Sequence, residues 1–152
     1  VLKFCCSFEN KSVDEMYDIF NKKSGLLGVS GVSNDSRDVM AAIENGNERA
    51  KLAYKLFIRR IADFIGQYFV RIGGADLIIF SAGMGENEPR LRRDVCNLIK
   101  DALGIELDAE ANASRGKEVV ISTPNSKVKV VVIPTDEEVM IARDAYRVGL
   151  GK

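Results

Sequence analysis

SAGMGENEPR, residues 81–90, follows the run ADLIIF, residues 75–80, and leads into a segment with helical periodicity. The continuous apolar run predicts a buried strand. Pro89 and the stretch from Leu91 to Leu103 predict a helix, with Gly104 as its stop. Between them, Gly83 and Gly85 are placed to turn the backbone tightly and leave amide N–H groups unobstructed, while the following helix offers the positive end of its dipole. That setting suits an anion. Asn87 adds an amide that donates and accepts, as a purine edge or a ribose requires. The same two glycines would equally serve a tight strand-to-helix turn that holds nothing. No G-x-x-x-x-G-K-[ST] exists in the chain, and Glu88 occupies the third glycine position of G-x-G-x-x-G, which disfavours a dinucleotide fold.

Outward from this stretch, helical and strand patterns alternate without repeats. Ser12, with Glu15 three residues on, reads as a capped helix through Val13, Met16, Ile19 and Phe20 that stops at Lys23-Ser24-Gly25. GLLGVSGVSND, residues 25–35, reads as a glycine-rich connection, and Asp35 or Ser36 caps a helix that ends near Asn45-Gly46. From Asn47 to about Ile72, residues Ala53, Phe57, Ile61, Phe64, Ile65, Tyr68 and Phe69 recur at three and four, one apolar stripe on a long helix. Asp108 to Ser114 reads as a short helix or turn. EVVIS and KVKVVVI read as strands joined by TPNS as a hairpin connection, and a last helix follows Pro134. Strands and helices in this order around a mixed sheet make the fold class α/β.

Composition narrows the function classes. With 152 residues, 46% of them hydrophobic, one compact soluble domain is expected. Lys+Arg and Asp+Glu are 22 each, so no net charge draws the chain to nucleic acid or to an anionic membrane, and a small, locally recognised ligand fits better. The three cysteines form neither a disulfide framework nor paired metal-ligand spacing, which points to a reduced, cytoplasmic protein. No apolar run approaches the ~18 residues of a membrane span.

Two further groupings carry chemistry. In SGVSNDSRD, residues 30–38, Asp35 could receive ribose hydroxyls and the planar guanidinium of Arg37 could lie over a base; alternatively Asp35 is a helix N-cap and Arg37 a solvated first-turn residue. In IPTDEEVMIAR, residues 133–143, Thr135 and Glu138 match the T-x-x-E capping box and the acids suit a positive helix end. Glu137 is not needed by that box.

Taken in order, NKKSGLLGVSGVSNDSRDV, GNERAKLAYKLFIRRIADFIGQY, GGADLIIFSAGMGENEPRLRRDVC, LGIELD and STPNSKVKVVVIPTDEEVMIAR closely resemble the C-terminal part of the acetate kinase family. The resemblance covers nearly the whole chain. It implies part of a ribonuclease H-like domain of the actin, sugar-kinase and heat-shock ATPase kind. The implied activity is reversible phosphoryl transfer between ATP and acetate, giving ADP and acetyl phosphate, with Mg2+, in a homodimer of two-domain subunits. Gly83, Met84, Gly85 and Asn87 match the family's A-G-[IM]-G-E-N loop, which binds adenosine and the nearby phosphate. Asp35 and Arg37 match the S-[NS]-D-x-R-D segment of the adenosine pocket. Glu137 matches the metal-associated glutamate of the final P-T-N-E-E segment, where Asp136 replaces the usual asparagine.

The family's N-terminal phosphate motif, its arginines near the acyl phosphate and its catalytic histidine match nothing here, and the chain contains no histidine. Residues 1–152, beginning with Val, are therefore expected to be a C-terminal nucleotide-binding segment, inactive alone and without catalytic residues of its own. A propionate kinase of the same family, or a non-catalytic nucleotide-binding or dimerisation module, are the alternative readings.

Overall fold

The computed structural model describes residues 1–150. The chain folds as two compact units, Val1–Ile61 and Ala62–Lys152.

The first unit is helical. Helix α1 (Leu2–Glu9) ends at Asn10, which adopts the left-handed conformation. Helix α2 (Val13–Asp18) opens with the expected capping box: Glu15 N–H donates to Ser12 Oγ at 3.2 Å, and Ser12 N–H donates to Glu15 Oε2 at 2.7 Å. It continues into a π-helical turn, Ile19–Lys23, rather than stopping as an ordinary helix. GLLGVS, expected as connection, instead forms helix α3 (Gly25–Ser30). Its glycines mark the ends: Gly25 at φ +60° opens it and Gly31 at φ +69° closes it as a left-handed C-cap.

Helix α4 (Ser36–Glu44) is capped by Asp35, whose Oδ1 accepts from Arg37 N–H at 2.8 Å. The Arg37 side chain folds back on the same carboxylate, Nε to Oδ1 at 3.0 Å and Nη2 to Oδ2 at 2.6 Å. These bonds, the side-chain ones foremost, bring the Asp35 carboxyl down from 3.8 to about 2.

Helix α5 (Glu48–Arg71) is capped by Asn47, whose Oδ1 accepts from Ala50 N–H at 3.0 Å. Its 24 residues extend about 36 Å. The expected single apolar stripe is split. Ala50, Ala53, Ile58 and Ala62 form the buried face, whereas Phe64 and Tyr68 are exposed and stack on each other at 6.3 Å. Leu52 and Leu56 are exposed as well.

The second unit is built on a sheet of order β1-β3-β2, with β1 (Leu77–Phe80), β2 (Val119–Val120) and β3 (Lys129–Val132). Strands β1 and β3 run parallel, Ile78 beside Val130. Strand β1 is an edge, and Leu77 and Ile79 are 43% and 50% exposed, so the run read as buried covers only one face. The β2–β3 pairing is shorter than the TPNS hairpin expected. After Ile121 N–H donates to Val130 O at 2.8 Å, the chain leaves β3 to pair with residues 106–108: Thr123 N–H donates to Glu106 O and Asp108 N–H to Ile121 O.

Helix α7 (Pro89–Leu103) lays Leu91, Val95, Cys96, Ile99 and Leu103 into the core with Phe80, Ile121, Val130 and Val132, and Gly104 stops it at φ +66°. Helix α8 (Ala109–Asn112) is capped by Asp108. Helix α9 (Glu137–Leu150) follows β3 and buries none of its residues.

The turn after β1 departs from expectation in a way that separates its two glycines. Residues Ala82–Asn87 form a short helix, α6. Neither Gly83 nor Gly85 has a positive φ; the left-handed residue is Ala82, at φ 59°. Such a conformation strains a residue with a Cβ by about 1–2 kcal/mol. Gly85 is buried, and a Cβ there would lie 3.2 Å from the Phe80 carbonyl carbon. Gly83 is exposed, with nothing within 4 Å of such a Cβ. A Cβ at 85 would press on the backbone of β1, whereas one at 83 would meet nothing.

Opposite outcomes follow for the two alanine variants. Gly83→Ala gains helix propensity of up to about 1 kcal/mol and raises the melting temperature. Gly85→Ala forces the edge strand from α6 and lowers it, since overpacking costs about 1–3 kcal/mol. Melting curves that move the same way for both would refute this division.

Asp35 has a pH signature. Because its folded pKa lies below the unfolded one, its pairing with Arg37 stabilises the fold above pH 3.8 and is progressively lost as pH falls toward 2. Asp35→Asn keeps a capping side chain without the charge. The melting-temperature advantage of wild type over this variant should shrink between pH 4 and 2; a constant gap would contradict it.

Candidate functional site

The site begins with α6, whose carbonyl groups from Gly83 to Asn87 are engaged. Gly83 O accepts from Asn87 Nδ2 at 3.0 Å, and Met84 O from Glu88 N–H at 3.0 Å. Gly85 O and Glu86 O accept from Arg92 Nη1 at 2.8 and 2.9 Å. Asn87 O accepts from Arg115 Nη1, and Gly116 N–H reaches Glu86 O at 3.2 Å. The other end of the helix has no such cover, because Ser81 makes no capping bond. Thus the carbonyl side of the turn is committed to the protein and the exposed Gly83 side is open to approach.

Arg92, which the pattern analysis passed over, is the organiser. It is 0% exposed, and all five of its N–H donors are used. Beyond the two α6 carbonyls, Nε donates to Asn112 Oδ1 at 3.0 Å, and Nη2 donates to Asn112 O at 2.6 Å and Ser114 O at 2.7 Å. None of these partners is a carboxylate. Burial, and secondarily the neighbouring Arg115 charge, lowers its pKa from the ordinary arginine value. One signal was available: Arg92, Cys96, Ile99 and Leu103 fall at spacings of four, three and four, which places Arg92 on the buried face of α7.

Asn87 is exposed; one of its two amide N–H donors goes to Gly83 O, which leaves Oδ1 and the second N–H to a ligand. Met84, three residues earlier, is half-buried. Glu86 points to the segment before α9: its Oε1 accepts from Thr135 N–H at 2.9 Å and from Thr135 Oγ1 at 3.1 Å. The turn and the start of α9 are thereby brought together.

That arrangement overturns the T-x-x-E capping box. The N-cap of α9 is Asp136, whose O accepts from Met140 N–H at 3.3 Å and whose Oδ1 accepts from Val139 N–H at 3.0 Å. Thr135 is one residue too early to cap and is held by Glu86 instead. Glu137, the first helical residue, is exposed. Among the described residues no three His, Cys, Asp or Glu side chains converge to hold a metal. A single exposed carboxylate nevertheless fits magnesium, which prefers oxygen ligands, retains waters and is completed by phosphate oxygens.

In the first unit, Asp35 is the cap that one reading anticipated, and its carboxylate is occupied by Arg37. The pairing uses the edge of the guanidinium. The Arg37 side chain is 81% exposed.

The chain is similar to proteins of known activity. The chain is 49% identical over 144 residues to the acetate kinase of Lachnoclostridium phytofermentans, covering 95% of this chain and 36% of that protein. It superposes on the crystal structure of Porphyromonas gingivalis acetate kinase with a TM-score of 0.87 at 46% identity, covering 97% of this chain and 37% of that one. A propionate kinase from Francisella tularensis matches with a TM-score of 0.82 at 32% identity, covering 93% and 36%. The chain therefore spans about a third of the length of the relatives it matches. The mixed α/β architecture is the one expected, shared with kinases of the actin-like fold. Since the acetokinase family matches residues 1–143, nearly from end to end, the chain belongs to that family.

Proposed function

We propose that this segment supplies the nucleotide side of reversible phosphoryl transfer between ATP and acetate, with ADP and acetyl phosphate as the products, in a cytoplasmic protein. The observation that carries the proposal is the asymmetry of α6: its carbonyls are held by the protein while exposed Gly83 leaves the backbone approachable. In this reading Gly83, Met84 and Asn87 meet the nucleotide, and Gly85 supports them from beneath by letting α6 sit against Phe80. Asp35 and Arg37 are adenosine contacts of the first unit. Glu137 holds magnesium directly or through water; the ion, when bound, neutralises charge on the phosphate oxygens. Acetate is favoured over propionate as the acceptor by the higher identity to acetate kinases.

Calorimetry on the 152-residue chain tests the pocket. Adenine nucleotides should bind in preference to guanine nucleotides. Gly83→Val should weaken ADP binding by on the order of tenfold while the fold persists, because its Cβ enters open space that the ligand needs. Equal binding by wild type and Gly83→Val would sink the assignment.

The three consecutive acids should fail differently. Glu137→Gln removes the magnesium dependence of nucleotide binding at unchanged melting temperature. Asp136→Ala lowers stability by about 1 kcal/mol, as lost N-caps do. Glu138→Ala changes neither. Full magnesium dependence in Glu137→Gln would remove the metal role.

We also infer that the chain self-associates as a homodimer. Support comes from the exposed apolar residues of α5, Leu52, Leu56, Phe64 and Tyr68, and from Val139, Met140, Ile141, Tyr146 and Val148 on α9. Sedimentation at micromolar concentrations should show dimer; monomer throughout would overturn this.

A further inference from the structure

We propose that Glu86 is a positioning residue for the metal-associated carboxylate: by holding Thr135 it sets where α9 begins and how Glu137 leaves it. The inference rests on the nucleotide and magnesium reading given above. One oxygen, Oε1, takes both Thr135 donors, the backbone N–H at 2.9 Å and the hydroxyl at 3.1 Å, across 49 residues of chain. Thr135 immediately precedes the cap, Asp136, which immediately precedes Glu137. The chain reaches this point under one earlier restraint, Ile133 N–H donating to Phe80 O at 3.0 Å where β3 ends beside β1. After Ile133 comes Pro134, whose ring fixes its own φ, and then Thr135, which Glu86 holds.

Packing does not do that work, because α9 buries none of its residues. Its orientation depends on its first residues, and there the bonds to Glu86 come from a different element, α6. Glu86 is also rigidly based. Its own carbonyl is clamped by Arg92 at 2.9 Å and by Gly116 N–H at 3.2 Å, so the carboxylate projects from a fixed point. The same short helix thus presents Gly83 toward open space and anchors the segment that carries Glu137. A shift of the α9 start by one rotamer of an untethered Thr135 would move Glu137 away from a metal placed by the nucleotide, and positioning errors of that size are costly in phosphoryl transfer.

The test uses Glu86→Ala and Glu86→Gln with two readouts. The first is amide hydrogen exchange. In Glu86→Ala the amides of residues 135–140 should exchange roughly tenfold faster or more, as expected for losing a charge-assisted bond, while those of α7 keep their protection. Glu86→Gln, whose amide oxygen still accepts from Thr135, should restore most of it. The second is ADP affinity with magnesium and with chelator. Glu86→Ala should lose most of the magnesium-dependent gain and keep its metal-free affinity within about twofold, with rescue by Glu86→Gln. Unchanged exchange at residues 135–140, or equal loss of affinity with and without magnesium, overturns the positioning role and leaves the functional reading standing. A wild-type chain that binds no ADP under either condition overturns the functional reading, and this inference with it.

Discussion

A cation sealed inside the second unit constrains everything around α6. Removing a guanidinium from water costs several kcal/mol, and the loss is offset only where each donor finds an acceptor in good geometry. Arg92 meets that condition at all five positions, with acceptors drawn from α6 on one side and from residues 112–114 on the other. The planar fork is what allows it. A lysine ammonium, with three donors on a single point, could not span both groups of carbonyls. Helix α6 has six residues, too short to persist by its own hydrogen bonds, so its place at the end of β1 follows from the arginine that closes its carbonyl end.

The first unit repeats the device more gently. Helix α3 also has six residues and is glycine-rich, and its carbonyls at Gly28 and Val29 accept from Arg49 Nη2 and Nε at 3.2 and 3.0 Å. Both segments read from sequence as loops, for one reason: glycine depresses helix propensity, and the compensating donor lies on a different, longer helix. Propensity is local, whereas these helices exist through a non-local bond. The elements that were legible, α4, α5 and α7, carry their own start and stop signals in Asp35, Asn47, Pro89 and Gly104. Those need no distant partner.

Burial was less legible than helix position. The period of α5 identifies apolar residues correctly but cannot say which face the core takes, and Phe64 and Tyr68 went to the exposed one. Continuous apolarity in β1 equally marks a strand without saying that this chain covers only one of its faces. Among the candidate residues, the motif located the turn and misassigned its mechanics. The strained residue is Ala82, one position before the first glycine, and of the two glycines only Gly85 is one where a Cβ would be crowded. Gly83 is then a glycine with no structural reason in the fold, which makes it the more informative of the two. Glu86 lay inside the same motif, but its partner, Thr135, is 49 residues away, and spacing gives no access to such a pairing.

The acids at the start of α9 show how one short stretch can hold several separable tasks. An N-cap needs a short side chain whose oxygen can turn back to the third amide, and aspartate and asparagine do this about equally well. Asp136 performs it, so its replacement of the family's asparagine leaves the helix start intact. A metal-associated carboxylate needs the opposite: an oxygen that points outward and is not already bound. Glu137, exposed at the first helical position, has that freedom because the cap is supplied by its neighbour. Had Thr135 been the cap, as the T-x-x-E pattern suggested, the helix would begin a residue earlier and Glu137 would be its second residue, about 100° further round from the cap than a first residue is. Glu86 takes both donors of Thr135, including the N–H that Glu138 would need for the reciprocal half of the box, and the helix N–H groups turn instead to Asp136.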